Sequence, residues 1–122
     1  MAKLIIHKKA IQGNIKKLSQ YLKKFDIEWS FITKVFSGDT EFLKNILTDD
    51  VIKDINSIGD SRLTSIRNLK AVNPKMRTIY IKPPAEIYAD EVIKYADISL
   101  NTSFKTIKAL NEEAKKQGKV HK

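Results

Sequence analysis

The chain has 122 residues, of which 42% are hydrophobic and 30% are charged, a composition typical of one globular domain. It contains no cysteine, which excludes a disulfide scaffold, a thiolate zinc site and a cysteine nucleophile. The longest apolar runs, such as Leu4-Ile5-Ile6, are far shorter than the roughly 20 residues of a membrane span. We therefore expect a cytoplasmic protein with one core and no membrane contact.

The net positive charge lies at the two ends of the chain. Seven lysines and no acidic residue occur between Lys3 and Lys24, and four more lysines follow Ala114. The stretch 25–114 carries 12 basic and 14 acidic side chains, so the body of the chain is not basic. The solvated faces of two lysine-rich helices explain this pattern better than nucleic-acid binding does. A small basic domain that binds nucleic acid nevertheless stays open as an alternative from another function class.

The first third of the sequence predicts a strand, a helix and a second strand. Lys3 to His7 is short and apolar, which predicts a strand. Apolar residues from Ile11 to Phe25 recur at steps of four and three, which predicts an amphipathic helix over about residues 10–24. Glu28 to Phe36 is β-branched and aromatic without a breaker and predicts a buried strand, and Ser37-Gly38-Asp39 predicts a turn that caps the next helix.

The same alternation continues to the last residues. We expect a helix on Phe42 to Leu47, a strand ending near Gly59, a helix through Leu63 to Leu69, a strand over 77–82, a helix through Val92, a strand over 97–101, and a helix that begins at the N-cap Ser103 and stops at Gly118. Residues 118–122 then read as the lead-in to another strand.

Alternating βα units of this kind build a parallel sheet with helices outside it, either doubly wound or as a (β/α)₈ barrel. Length alone favours the doubly wound form, because a complete barrel needs about 250 residues.

Several common sites are absent from the sequence. Only four glycines occur, and they are too scattered to form a phosphate-binding loop. His7 and His121 stand alone at the two ends, without an acidic residue or a second histidine at ligand spacing. We therefore expect two surface histidines and no metal site.

Lys34 is the most informative candidate because it interrupts an apolar segment near the end of a predicted strand. Ligands of parallel α/β sheets bind at that end. In an extended strand, Lys34 shares a face with Ser30 and Ile32. Burial lowers the pKa of a lysine from about 10.4, and the free amine then attacks carbonyl groups. From the residues alone, a lysine that extends from a strand end into solvent is the favoured interpretation, and a partly buried, reactive Lys34 is the alternative.

Four segments together resemble a known family: Thr33–Asp39, the Ile-x-x-Asn-Ile pattern at Ile11–Ile15, Gly59–Arg62, and Tyr95–Asn101. In this order and spacing they resemble the N-terminal half of the alanine racemase-like, fold-type III pyridoxal-phosphate enzymes, nearest to the ornithine racemase branch. The resemblance implies an α/β fold of alternating βα units, roughly half of a (β/α)₈ TIM-type barrel. Residues 1–122 would be the N-terminal part of that barrel domain, which continues beyond residue 122 in the family.

The resemblance also implies roles for single residues. Lys34 matches the lysine that forms the Schiff base with pyridoxal 5'-phosphate and exchanges the α-proton of a small amino-acid substrate. Arg62 matches an arginine that follows the second barrel strand in related proteins, and Asn101 ends a strand on the same expected face, so we expect both to bind the cofactor. A charge in the first turn of a helix and a turn-forming residue are their respective alternatives. At Lys82 the branch tends to have arginine, so a point charge replaces a bidentate fork here.

The function implied by the resemblance is a fragment of a pyridoxal-phosphate-dependent amino-acid racemase, an isomerase. We expect this piece to be inactive alone, because the family's phosphate-binding strands and the base on the opposite face have no counterpart in it. A non-catalytic pyridoxal-phosphate-binding protein of the same superfamily is the alternative. The open edges of half a barrel predict self-association as a homodimer or higher oligomer.

Overall fold

The computed structural model describes all 122 residues and contains six α-helices and four β-strands. In chain order they are α1 Lys8–Lys23, β1 Ser30–Ile32, α2 Thr40–Ile46, α3 Asp49–Ile52, β2 Ser57–Asp60, α4 Leu63–Val72, β3 Thr78–Tyr80, α5 Ala89–Tyr95, β4 Ile98–Ser99 and α6 Phe104–Lys116. Two 3₁₀ turns, Lys34–Phe36 and Glu86–Tyr88, follow β1 and precede α5. No helix is both long enough and apolar enough to cross a bilayer.

The four strands form one parallel sheet in the order β1-β2-β3-β4. Phe31 pairs with Ile58, and Ile58 pairs with Thr78 on its other side. Each strand therefore lies beside its neighbour in sequence, without the reversal of strand order that defines a doubly wound sheet. The predicted α/β class of alternating βα units is confirmed, and the sheet is consistent with half of a (β/α)₈ barrel.

One face of the sheet packs against the helices. Sixteen buried apolar side chains form the core, and Ile58 and Tyr80 are the strand residues among them. Because strand side chains alternate, Ile32, Ile79 and Ile98 belong to the opposite face. These three side chains are only half-buried and lie outside the core. This second face corresponds to the inner wall of a barrel.

Several predicted helix boundaries are confirmed by their caps. The Asp39 carboxylate accepts a hydrogen bond from the Phe42 amide at 2.8 Å and starts α2. The Ser103 hydroxyl accepts one from the Thr106 amide and starts α6. Gly118 has φ +63°, the left-handed conformation that ends a helix, and the Lys119 amide donates back to the Ala114 carbonyl at 2.9 Å.

Two strand predictions at the start of the chain were wrong. Residues 3–7 form no strand and are exposed, because no neighbouring strand offers them a ladder. The strand predicted over 28–36 spans only Ser30–Ile32. Thr33, at φ −97° and ψ 12°, leaves the extended conformation, and the Phe36 amide closes a turn on the Thr33 carbonyl at 2.8 Å.

The predicted lead-in at residues 118–122 pairs with β4. The Lys122 amide donates to the Asp97 carbonyl at 3.1 Å, and the Lys122 carbonyl accepts from the Ser99 amide at 2.8 Å. This pair of bonds is a parallel bridge opposite Ile98. The pairing places His121 beside Ser99 on the helix-facing side of the sheet.

Candidate functional site

The candidate site lies along one edge of the sheet. All four strands are parallel, so their carboxyl ends meet at the same edge. Lys34 follows β1, Arg62 follows β2, Lys82 follows β3 and Asn101 follows β4. The three predicted site residues therefore share the edge that carries ligands in barrel folds.

Lys34 is the first residue of the 3₁₀ turn after β1, and its side chain is exposed. The sequence placed Lys34 within the strand, but the strand ends at Ile32 and Lys34 lies in the turn that follows it, where its side chain extends into solvent. The ammonium group forms no hydrogen bond and no ion pair within the chain. Lys34 is consequently a free amine-bearing side chain at the carboxyl end of β1.

The residue before Lys34 is held firmly to the neighbouring strand. Thr33 is fully buried, its amide donates to the Gly59 carbonyl at 2.8 Å, and its hydroxyl donates to the same oxygen at 3.1 Å. The hydroxyl also lies 3.5 Å from the Asp60 carboxylate. Two donors on one carbonyl fix the backbone from which Lys34 extends, although the Lys34 side chain itself is free.

Asp60 organises the end of β2. Its carboxylate is completely buried, and Oδ1 accepts a hydrogen bond from the Arg62 amide at 3.0 Å. The Arg62 Nε lies 3.8 Å from the same oxygen, while half of the Arg62 side chain stays exposed. Arg62 precedes the first residue of α4 and is not within its first turn. The guanidinium keeps donors available at the edge of the sheet.

Sequence reasoning did not single out Asp60 as a functional residue. The available signal was an aspartate three residues before the first residue of a predicted helix, since an aspartate side chain commonly accepts a hydrogen bond from the backbone amide two residues ahead.

Asn101 is oriented by the end of β4. Its Nδ2 donates to the Ser99 carbonyl at 3.1 Å and to the Ser99 hydroxyl at 3.0 Å. Its Oδ1 is buried and has no hydrogen-bond partner. A buried acceptor without a partner is unusual in folded proteins. Asn101 lines a groove of about 370 Å³ together with α6 and residues 119–122, and this groove includes neither Lys34 nor Arg62.

His121 is not the surface histidine that the sequence predicted. It is half-buried, with Nε2 2.7 Å from the Ser99 hydroxyl and Nδ1 3.1 Å from the Ala96 carbonyl. Burial lowers the pKa of the His121 imidazole below its ordinary value, and the Ala96 carbonyl and the Asp97 charge oppose that shift only in part. These partners are more than 20 residues away in sequence, so the local pattern carried no signal for them.

The chain brings the predicted residues to one edge but does not join them directly. No hydrogen bond or ion pair links Lys34, Arg62 and Asn101 to one another. Each stands at the end of a different strand, and Lys82, which follows β3, is exposed as well. The arrangement offers an open row of donors and cations, which suits an anionic ligand that spans several strand ends.

Comparison with known proteins gives one informative match. No protein-family model matches the chain. Over 77 residues it is 38% identical to ornithine racemase of Acetoanaerobium sticklandii, a segment that covers 59% of this chain. This similarity supports a racemase-like relationship. The match covers 21% of the ornithine racemase, so the chain spans about a fifth of the length of the relative it matches.

Proposed function

We propose that this chain is the N-terminal part of the barrel of a pyridoxal-phosphate-dependent amino-acid racemase, and that Lys34 holds the cofactor covalently. The similarity to ornithine racemase supports the racemase assignment. The observation that carries the role of Lys34 is its place at the carboxyl end of β1, with an ammonium group that nothing in the chain engages.

The residues along the edge fit the cofactor. Pyridoxal phosphate is an anion that needs hydrogen-bond donors, and Arg62 keeps half of its side chain exposed there. The orphaned Oδ1 of Asn101 is an acceptor that a hydroxyl or a protonated nitrogen of a ligand would satisfy. We assign Arg62 and Asn101 as cofactor contacts on this basis.

Each residue has a distinct task in this proposal. When bound, the cofactor supplies an electron sink that stabilises negative charge at the substrate α-carbon. The Lys34 Nζ takes and returns the α-proton on its own side of the substrate. Thr33 positions the backbone of Lys34 through its hydrogen bond to the Gly59 carbonyl and its contact with the Asp60 carboxylate. Asp60 positions the backbone of Arg62 by accepting a hydrogen bond from its amide.

Racemisation needs a proton donor on each side of the planar carbon. Lys34 supplies one side only, so we propose that residues outside 1–122 supply the opposite base and that this chain does not racemise by itself. With the cofactor added, it would instead exchange the α-hydrogen of one enantiomer and retain the configuration.

The test is hydrogen exchange in D₂O. The chain is incubated with pyridoxal phosphate and with either enantiomer of ornithine or alanine, and the α-proton signal is followed by NMR. We expect exchange with one enantiomer, loss of it in Lys34→Ala, and its survival in Lys44→Ala, which removes another exposed lysine. Equal exchange in the Lys34→Ala variant would overturn the proposal. Cofactor binding without exchange would favour the non-catalytic pyridoxal-phosphate-binding alternative.

We also propose that two or more copies associate through the inner face of the sheet. Ile32, Ile79 and Ile98 are half-buried there, and no core side chain packs on them. Light scattering at increasing concentration should detect a dimer or larger species, whereas a monomer at the highest concentration would contradict this.

A further inference from the structure

A series of hydrogen-bonded side chains lies behind Asn101. Asn101 Nδ2, the Ser99 hydroxyl and the His121 imidazole are joined by contacts of 3.0 and 2.7 Å, and His121 Nδ1 lies 3.1 Å from the Ala96 carbonyl. The parallel bridge between Lys122 and β4 holds His121 in place. We propose that His121 is a positioning residue that acts through Ser99 to fix the amide of Asn101, with Oδ1 turned toward a ligand donor.

The Ala96 carbonyl determines which group donates and which accepts in each hydrogen bond of this series. A carbonyl only accepts, so His121 Nδ1 carries the proton and donates to it. In the neutral ring Nε2 is then an acceptor, and the Ser99 hydroxyl donates to it. The Ser99 oxygen is thereby left to accept from Asn101 Nδ2. Both oxygens of Ser99 thus face the amide as acceptors.

This arrangement decides which end of the Asn101 amide contacts Ser99. If the Ser99 hydroxyl were free to rotate, it could donate to Asn101 Oδ1, and the amide could turn by half a revolution. His121 engages the hydroxyl proton, so only the orientation with Nδ2 inward satisfies both Ser99 oxygens. The buried Oδ1 is therefore kept without a partner until a donor arrives.

Protonation of His121 would reverse the hydrogen bond between its Nε2 and the Ser99 hydroxyl. Nε2 would then donate to the Ser99 hydroxyl, whose own proton would lose its acceptor, and the hold on Asn101 would weaken. The charged groups around the ring are Asp97 just before β4, Lys119 of its own segment, and Lys115 of α6 and Lys122, which line the same groove. Asp97 favours the protonated ring, whereas Lys119 and burial favour the neutral ring.

The first test needs no cofactor. In ¹⁵N NMR of the full chain, the His121 ring should show a protonated Nδ1 and a bare Nε2, and its titration should shift the Asn101 side-chain amide signals. Asn111 lines the same groove without a hydrogen bond to this chain of groups and serves as the internal control. In Ser99→Ala the Asn101 signals should no longer follow the His121 titration, while the backbone amides at positions 99 and 122 report an intact bridge. Asn101 signals that ignore the titration in the wild-type chain would overturn the inference.

The second test asks whether the hydrogen bonds among His121, Ser99 and Asn101 affect the cofactor site, and it rests on the proposed function. We expect Ser99→Ala and His121→Ala to weaken pyridoxal-phosphate binding about fivefold, the loss typical of one misdirected hydrogen bond, without changing which lysine is modified. His121→Gln keeps a donor and an acceptor and should recover part of the affinity. Unchanged affinity in both alanine variants would overturn the role at the site. Failure of the wild-type chain to bind the cofactor at Lys34 would contradict the proposed function instead, and the NMR test would still decide the inference.

Discussion

Asp60 and Arg62 are joined twice at the end of β2: Asp60 Oδ1 accepts from the Arg62 amide at 3.0 Å and lies 3.8 Å from the Arg62 Nε. The carboxylate is buried and the guanidinium is half-exposed, so a buried anchor orients a cation at the edge of the sheet. Asp60 thus holds the backbone of Arg62 in place and lies beside its guanidinium, an arrangement that suits an arginine that binds a ligand.

The first prediction concerns that anchor. Asp60→Ala should lower the free energy of unfolding by about 1–3 kcal/mol, because the Arg62 amide and the Thr33 hydroxyl lose an acceptor. Asp60→Asn retains Oδ1 as an acceptor and should cost less. Urea denaturation of both variants measures the difference. Equal losses in the two variants would mean that the hydrogen bond to Arg62 contributes little.

A second prediction compares two glycines. A Cβ at Gly59 would lie 2.6 Å from both Cγ2 and the carbonyl oxygen of Ile79, so Gly59→Ala should destabilise the chain by about 1–3 kcal/mol. Gly13 lies within α1 with nothing within 4 Å of an added Cβ, and Gly13→Ala should stabilise by about 0.5–1 kcal/mol. Thermal unfolding of the two variants tests the close approach of β2 and β3; a tolerated Gly59→Ala would contradict it.

The third prediction concerns acid stability. Burial alone would raise the pKa of Asp97, but hydrogen bonds from the Lys70 ammonium at 2.5 Å and from the Thr78 amide at 2.7 Å outweigh it and hold that pKa below its usual range. The lowered pKa stabilises the fold above the unfolded value of about 3.9, and this contribution disappears as pH falls through the folded value.

Lys70→Met should therefore lower stability near neutral pH by about 1–3 kcal/mol and flatten its decline in acid. Lys53→Met, which breaks an exposed bridge to Asp50, is the matched control and should leave stability near neutral pH almost unchanged. Denaturation midpoints between neutral and acid pH give the comparison. If stability falls with pH equally steeply in Lys70→Met and in the wild-type chain, the contribution of Asp97 to acid stability is excluded.

The fourth prediction concerns His121 and stability. Because burial lowers its folded pKa, the unfolded chain binds the proton more readily between that value and the ordinary 6.5. Stability should therefore rise with pH across this window, and His121→Gln should remove that rise. His7→Gln changes an exposed histidine and should leave the profile unaltered. A pH profile that is the same in His121→Gln as in the wild-type chain would contradict the buried imidazole.

The sequence predicted those features that depend on local pattern. Asp39, Ser103 and Gly118 were recognised as helix boundaries because capping and left-handed conformations need particular side chains close in sequence. The parallel order of the strands followed from the alternation of elements. Lys34 was predicted near the carboxyl end of the strand over 28–36, and it follows the carboxyl end of β1.

Predictions from the sequence were wrong where contacts between residues far apart in the sequence determine the structure. The apolar segment 3–7 fits a strand, but a strand needs a neighbour, and the chain offers none. Thr33 was expected to continue a strand, yet its backbone leaves the extended conformation at ψ 12°, and Lys34 begins a 3₁₀ turn. His121 was judged from its sequence neighbours, whereas Ala96 and Ser99 bury it across more than 20 residues.

The central claim, that Lys34 holds pyridoxal phosphate, is tested most directly by trapping. The chain is mixed with the cofactor over a range of concentrations, reduced with borohydride and digested, and the modified peptides are identified by mass spectrometry. We expect a saturable adduct on Lys34 that survives in Lys44→Ala and is lost in Lys34→Ala. Unsaturable labelling spread over the terminal lysines, unchanged in Lys34→Ala, would contradict it.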